Sequence, residues 1–349
     1  MSLFDPAVVF SFANLWRAAH RTARGKRHRP AVARFMLDLE RELLRLRDDI
    51  LGGLWRPLPP RRMVVHDPKP RRISVPAFRD RVMQQCLVAA IGPRVERRLI
   101  ADTYACRVGA GTHAALERAR AWARTWCWWV RLDVQRYFPS IDHAIVREHL
   151  AKDVPLRALR ELCERVLDAA GTPGSLHVAG DDLFTPAAHK VGLPLGNLTS
   201  QLWANRYLDP VDHLVKDRLR HRGYLRYMDD MLLFDDDRAR LEALARTIEG
   251  ACGALRLRLH PWCVHPTEAG VGFVGYRIYP RYVRVKRTTV RRAEKRLGMR
   301  LGRGETLADE PFRDGFRATL AHWDHADSWR LKEKVLRRLG LLYAPGEEE

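Results

Sequence analysis

Asp229 and Asp230 stand side by side in Tyr224-Leu-Arg-Tyr-Met-Asp-Asp-Met-Leu-Leu-Phe234, with apolar and aromatic residues on both flanks. No glycine or proline interrupts the stretch, which reads as strand, sharp turn, strand, with the acids at the tip. Adjacent carboxylates facing a cleft suit Mg²⁺, a hard cation that takes carboxylate oxygens and keeps water and substrate phosphate as its other ligands; the matching chemistry is phosphoryl transfer. An acidic surface turn is the plain alternative, and a Tyr-x-Asp-Asp string arises by chance in roughly 4% of chains of this length. Its companions therefore decide. Asp133 is one: it ends Trp128-Trp-Val-Arg-Leu-Asp133, which alternates like a strand. Two-metal nucleotidyl transfer needs carboxylates on neighbouring strands, a cationic cradle for a triphosphate and a platform beneath a templating base.

The elements that must position these groups follow from pattern. In Asp67-Pro-Lys-Pro-Arg-Arg-Ile-Ser-Val75 the prolines around Lys69 favour extended backbone, so Lys69, Arg71 and Arg72 lie on a strand or its turn. Cations there can hold a triphosphate, and an edge strand guarded by positive charge explains them equally. Tyr104-Ala-Cys-Arg-Val-Gly-Ala-Gly-Thr-His113 carries glycines that permit close backbone approach. Past Asp133 the chain turns through Phe138 into a helix that Asp142 caps or solvates. Gly192-Leu-Pro-Leu-Gly-Asn-Leu-Thr-Ser-Gln201 is a Gly-rich bend entering a helix marked by Leu198, Leu202, Trp203 and Tyr207, and Asp209-Pro210 restarts a helix as cap and first-turn proline. Apolar periodicity predicts one helix over 31 to 51, closed by Gly52-Gly53, and others over 77 to 100, 112 to 126, 238 to 252, 309 to 322 and 326 to 341. Leu255-Arg-Leu-Arg-Leu259 alternates, and Phe273 to Ile278 reads as one strand. From 281 to 303 ten bases face Glu294 alone on a helix marked by Val290, Ala293, Leu297 and Leu301, a face suited to tracking phosphates.

Charge points the same way. Against 42 acids stand 62 bases, a net of +20 with pI about 10.3, which fits a polyanionic partner, nucleic acid before membrane. Most of the bases are arginine, the side chain that grips phosphate bidentately and stacks on bases. No apolar run approaches the roughly 18 residues of a membrane span. Residues 6 to 37 hold seven bases and no acid, like a transit peptide, yet their serine poverty favours a folded, nucleic-acid-facing segment. The six cysteines form no C-x-x-C pair, so neither a zinc ribbon nor a disulfide framework is indicated, and a reducing cytoplasm follows. His260, Cys263 and His265, with Cys252 upstream, match no standard zinc spacing and read as structural.

Taken in order, from about 61 to 342, these motifs resemble those of reverse transcriptases. Lys69-Pro-Arg-Arg-Ile is similar to the fingers motif that holds the incoming triphosphate, and Tyr104-Ala-Cys-Arg with Gly111-Thr-His to the second fingers block. Asp133-x4-Phe138 resembles palm motif A, whose aromatic blocks a ribose 2′-hydroxyl. RNA-dependent RNA polymerases lack that aromatic and usually show Gly-Asp-Asp, so by this resemblance Phe138 and Tyr227 both argue for DNA synthesis. Leu259-His-Pro, Gly272-Phe-Val-Gly-Tyr276 and the basic helix resemble the later palm blocks and the thumb. The resemblance implies an α+β right-hand polymerase: a basic helical extension over 1–60, fingers over 61–130, a palm over 131–280 with an insertion about 150–192, and a helical thumb over 281–349. It implies Asp133, Asp229 and Asp230 as catalytic metal ligands for two Mg²⁺ ions, for which Mn²⁺ can substitute. The dNTP site would use Lys69, Arg71, Arg72, Phe138, Gly196 and Gln201, and nucleic acid would run along Arg284, Lys286, Arg287, Arg291, Arg292 and Lys295. His260 stands where many such enzymes carry a general-acid Lys; a histidine packed at a strand end is the plainer reading.

Leu195-Gly-Asn-Leu-Thr-Ser-Gln201, with Trp203-Ala-Asn205 one residue on, replaces the Gln-Gly-x-x-x-Ser-Pro of intron-encoded enzymes and resembles the diversity-generating retroelement type. There, loss of the polar residue accompanies error opposite template adenines, so Leu195 and Arg71 are the expected fidelity residues. That subtype implies a structured template RNA, its RNA/cDNA duplex, and a small basic helical accessory protein that oligomerises, in a bacterial or phage-infected cytoplasm. The alternatives are a defence-associated or other retroelement reverse transcriptase, and a catalytically silent RNA-binding scaffold. RNase H and endonuclease regions are not expected, because thumb-like helices occupy the end of the chain.

Overall fold

The computed structural model describes residues 4–66, 70–174, 176–178, 181–182 and 184–341. Four helices open the chain: α1 (Pro6–Val9), α2 (Phe12–Ala23), α3 (Pro30–Leu37) and α4 (Leu39–Leu51). The single helix expected over 31 to 51 is two, broken at Asp38 (φ −119°, ψ 41°), a residue type that favours helix starts over interiors. The break lets Val32 and Phe35 on one piece and Leu43, Leu46 and Ile50 on the other reach the same core. An antiparallel hairpin follows, β1 (Arg61–His66) and β2 (Pro70–Val75), registered from Arg61 opposite Val75 to His66 opposite Pro70. Lys69 lies outside the described residues. Helices α5 (Phe78–Glu96) and α6 (Thr112–Thr125) come next.

The central sheet is built from β3 (Trp128–Asp133) and, after a helical excursion, its partners. The excursion comprises α7 (Tyr137–Ser140), α8 (His143–Asp153), α9 (Arg157–Asp168), a two-stranded ribbon of β4 (Thr172–Pro173) and β5 (Lys190–Val191) with α10 (Thr185–Ala188) between them, then α11 (Leu198–Tyr207) and α12 (Asp209–His213). Asp209 is not the expected cap: it is buried and pairs with Arg206 at 2.9 Å. Asp142 does cap α8, accepting from the Ala144 amide at 2.8 Å. Strands β6 (Tyr224–Tyr227) and β7 (Asp230–Asp235), helix α13 (Arg238–Ala254) and β8 (Val264–Pro266) complete an antiparallel sheet of order β6-β7-β3-β8.

Side chains alternate across that sheet and feed two cores. Val130, Leu132, Met231 and Leu233 join the core shared by α5, α8, α9 and α11 to α13, whereas Trp129, Leu225, Leu232 and Phe234 join a second core with α6 and the C-terminal elements. The alternation at 255 to 259 is not a strand: Arg256 is left-handed (φ 57°) and turns inward to Asp181, leaving only Leu259 bridged to Val134. Phe273 to Ile278 is two strands, β9 (Val271–Phe273) and β10 (Tyr276–Ile278), because Val274 (φ 36°) and Gly275 (φ 93°) make a two-residue hairpin turn. With β11 (Val283–Val285) they form a three-stranded sheet beneath α14 (Arg287–Leu301), α15 (Glu310–Asp324) and α16 (Trp329–Arg338). The result is an α+β molecule, and no described helix is long and apolar enough to cross a membrane.

Candidate active site

The two strands that carry the acids are direct neighbours. Asp133 on β3 lies opposite Asp230 on β7, and the Val134 amide donates to the Asp229 carbonyl at 3.3 Å. Between β6 and β7 the loop is only Met228-Asp229, and Met228 takes a left-handed φ of 60°, the geometry that matches strand twist in tight hairpins. A non-glycine residue there is strained and persists only when its surroundings over-determine it. Arg226, fully buried, does so: Nη1 donates to the Met228 carbonyl at 2.9 Å while Nε and Nη2 fork onto Asp212 at 2.8 and 2.6 Å. Asp212 also accepts from Tyr224 Oη at 2.7 Å and Thr103 Oγ1 at 3.1 Å. Burial works against the Arg226 charge, but Asp212 more than offsets it and holds the guanidinium protonated.

Among the described residues neither Asp133 nor Asp229 carries an ion pair or a side-chain hydrogen bond to its carboxylate. Burial, together with the nearby Asp133 charge, pushes the Asp229 carboxyl up, against the opposing pull of Arg131 and Arg71. Asp230 is different. Its Oδ1 accepts from Arg131 Nε at 2.6 Å, and burial still raises its pKa to about 6. Arg131 had no assigned role in the sequence; only the β3–β7 register reveals its partner. No three His, Cys, Asp or Glu side chains converge as a ready-made ion site among the described residues. Two carboxylates without an ion pair among the described residues, one of them raised by burial and by its neighbour's charge although its own backbone amide opposes that, are nevertheless a donor set that a hard divalent cation relieves.

The hairpin β1–β2 packs on the 192–197 bend near this centre. Arg71 is exposed on β2, and its charge reaches Asp229. The Ser74 amide donates to the Leu195 carbonyl at 2.8 Å, and Gly196 (φ 112°) fits so closely that a Cβ would stand 2.4 Å from the Ser74 carbonyl oxygen. Arg72, Ile73, Leu195 and Asn197 wall a cavity of about 560 Å³ between the hairpin, α5 and the bend. The same bend is stapled on its other side, the Leu193 amide donating to the Phe138 carbonyl and the Gly192 amide to the Ile141 carbonyl, each at 2.8 Å. Phe138 thus shares one frame with Leu195 and Gly196, and Gln201 is exposed on the first turns of α11. The Gly111-Thr-His113 block also reaches the centre, with Thr112 Oγ1 3.1 Å from Tyr227 Oη.

His260 is exposed, and its amide donates to the Asp133 carbonyl at 2.8 Å, so it sits beside the acid's strand end. Cys263 Sγ and His265 Nε2 are 3.0 Å apart, while Cys252 is buried inside α13; all six cysteines are free thiols. On the C-terminal elements Arg287, Arg291, Arg292 and Lys295 are exposed along α14 and Arg284 lies over Tyr282. Lys286 departs from that row. It is half-buried, its ammonium pushed down by burial and by Arg131 while Asp230 pulls it up.

An antiparallel sheet bearing acids at a hairpin tip, a basic hairpin above it and a helical unit behind define a right-hand nucleic-acid polymerase. The chain belongs to the reverse transcriptase family: residues 65–278, well over half of it, match the family described as reverse transcriptase (RNA-dependent DNA polymerase). Protein YkfC of Escherichia coli (strain K12) is 25% identical over 280 residues, covering 68% of this chain and 71% of that protein. Among solved structures, apo telomerase from Candida tropicalis superposes with a TM-score of 0.50 at 10% identity, over 80% of this chain and 57% of that one. Telomerase from Candida albicans with the TWJ fragment of telomeric RNA gives 0.48 at 11% identity, over 70% and 51%. The chain spans about half the length of these telomerase chains, and the likeness is one of fold. The enzyme is an RNA-directed DNA polymerase of a family that works with divalent metal ions.

Proposed function

We propose that this reverse transcriptase serves a diversity-generating retroelement, copying a template RNA into cDNA whose errors concentrate at adenines. The observation that supports this reading is Leu195: its carbonyl anchors β2, and it lines the cavity beside Arg72 and Ile73. An apolar side chain at this position cannot hydrogen-bond a nascent pair, which weakens discrimination by about one bond, roughly 0.5–1.5 kcal/mol. Arg71 tunes the same frame from the hairpin.

In this reading residues 61–130 are fingers, 131–280 palm and 281–349 thumb, behind a basic extension over 1–60. Asp133 and Asp229, with Asp230 beside them, serve two Mg²⁺ ions, which when bound activate the primer hydroxyl and neutralise the triphosphate; Mn²⁺ substitutes. Lys69, Arg71 and Arg72 hold the triphosphate, the Phe138 ring excludes a 2′-hydroxyl, and Gly196 and Gln201 shape the floor under the base pair. His260, beside Asp133, is the candidate proton donor to the leaving pyrophosphate. Arg284, Lys286, Arg287, Arg291, Arg292 and Lys295 track the template RNA and its cDNA duplex. A small basic helical accessory protein, as an oligomer, completes the complex in a bacterial or phage-infected cytoplasm.

Sequencing cDNA made on the cognate RNA tests the reading, with Asp133→Ala and Asp229→Ala as controls that yield no product while still binding RNA. Errors clustered at adenines, and reduced by Leu195→Gln, are expected. Evenly spread errors reject the retroelement assignment.

A further inference from the structure

Arg131 and Asp133 lie two residues apart on β3 and so share one face of the sheet. Arg131 opposes Leu232 on β7, which makes Asp230, two residues earlier, its diagonal cross-strand neighbour, within reach of a long side chain. The contact made is short and charge-assisted, 2.6 Å from Nε to Oδ1, and the Asp230 side chain is only 15% exposed. Lys286 approaches the same carboxylate electrostatically from the junction of β11 and α14. Of the three acids at this centre, one is therefore committed to a guanidinium, and the two left unpaired, Asp133 and Asp229, are on opposite sides of the β3–β7 seam.

We propose that Arg131 is a positioning residue that keeps Asp230 out of the cation site, so that Asp133 and Asp229 are the acids that hold the metal. This rests on the reading of those acids as the cation site. Arg131 acts in two ways. It occupies the Asp230 oxygen that would otherwise turn toward the ion, and its own positive charge, close to Asp133 and Asp229, limits how tightly they bind a cation. A site released from both restraints would hold a divalent cation more tightly.

Mn²⁺ binding to the full-length protein, followed by electron paramagnetic resonance without substrate, tests the assignment, with circular dichroism to establish that each variant is folded. Asp133→Asn and Asp229→Asn should each weaken binding about tenfold or more, and Asp230→Asn by no more than about twofold. Arg131→Met should tighten Mn²⁺ binding about three- to tenfold, Arg131→Lys should return it to within about twofold of the unmodified protein, and Arg131→Met with Asp230→Asn should abolish most of the gain. A purely structural role would not tighten a metal site. Unchanged or weaker binding by folded Arg131→Met, or an Asp230→Asn loss equal to that of Asp229→Asn, overturns the role of Arg131 and leaves the cation site standing. If Asp133→Asn and Asp229→Asn leave binding unaltered, the cation site itself is wrong and the role of Arg131 falls with it.

Discussion

Arg226 is fully buried and holds the turn that carries Asp229 through the Met228 carbonyl, so the geometry of the proposed catalytic turn depends on a residue behind it. Its guanidinium and the Asp212 carboxylate are both fully buried, and each leaves the other uncompensated if it is removed. Breaking one partner of such a pair costs about 3–5 kcal/mol, because the remaining charge stays buried. Here there is a second consequence, since the Nη1 bond to the Met228 carbonyl also holds a strained φ in place. Arg226→Met should lower the stability to urea unfolding by about that amount and, below the denaturation midpoint, slow primer extension beyond what the lost folded fraction accounts for. Arg226→Lys should recover part of the stability but little of the rate, as a point charge cannot make the fork that joins Asp212, Asn205 and Met228. Arg226 sits in plain view two residues before Met228 in the sequence, yet its importance does not, because Asp212 is recruited from a different helix.

At the scale of elements, β1–β2 docks onto the 192–197 bend, which couples the proposed triphosphate cradle to the proposed floor of the site. Gly196→Ala meets two obstacles at once, a φ of 112° that side chains rarely adopt and a backbone oxygen 2.4 Å from the new Cβ. Neither obstacle is a flexible side chain, so the hairpin must shift. Because displacement of about 1 Å can cost on the order of 100-fold in a reacting geometry, kcat/KM for dNTP in steady-state extension should fall at least about tenfold with RNA affinity nearly unchanged; a normal kcat/KM would show that the hairpin is free of the bend. This bend, strand β3 and the acid hairpin were legible in the sequence because local chemistry specifies them: glycines, strict alternation, a short loop between apolar runs. Three stretches misled, two of them for a common reason. Over 31 to 51 and 273 to 278 the apolar period continues through a change of direction, at Asp38 and at Val274-Gly275, and period alone cannot see direction. At 255 to 259 the alternation was real, but Arg256 points inward to ion-pair rather than outward to solvent. Arg131 and Asp212 were invisible because their partners are set by strand register and helix packing.

The molecule as a whole stacks a largely buried sheet between two cores, and its interior carries titratable groups. His149, 8% exposed on α8 against Tyr207 of α11, has its pKa lowered to about 3 by burial and by Arg206. The unfolded chain takes up a proton near pH 6.5 that the fold refuses, so stability contributed by neutral His149 is present above about 6.5 and is lost as pH falls toward 3. Between pH 7 and 5 the unmodified protein should lose about 2 kcal/mol relative to His149→Phe, read from urea titrations at both values; parallel losses in the two proteins would remove His149 from the acid response. Charge acts outside as well as inside. On α14 the single acid, Glu294, is taken by Arg338 at 2.7 Å, so Arg287, Arg291, Arg292 and Lys295 face solvent without a counter-ion from their own helix. Arg300, by contrast, is already paired with Glu305 at 2.5 Å. If the first four track phosphates, each releases counterions on binding, and the slope of log affinity against log salt should become shallower by about 0.7–0.9 for each one changed to Gln. Arg300→Gln should leave the slope nearly unchanged although it removes the same formal charge. Filter binding of RNA across a salt series separates the outcomes: a slope that falls equally for Arg300 means that only net charge matters, and a slope unmoved by all four means that RNA runs elsewhere, with the acid-free N-terminal helices the next surface of like charge.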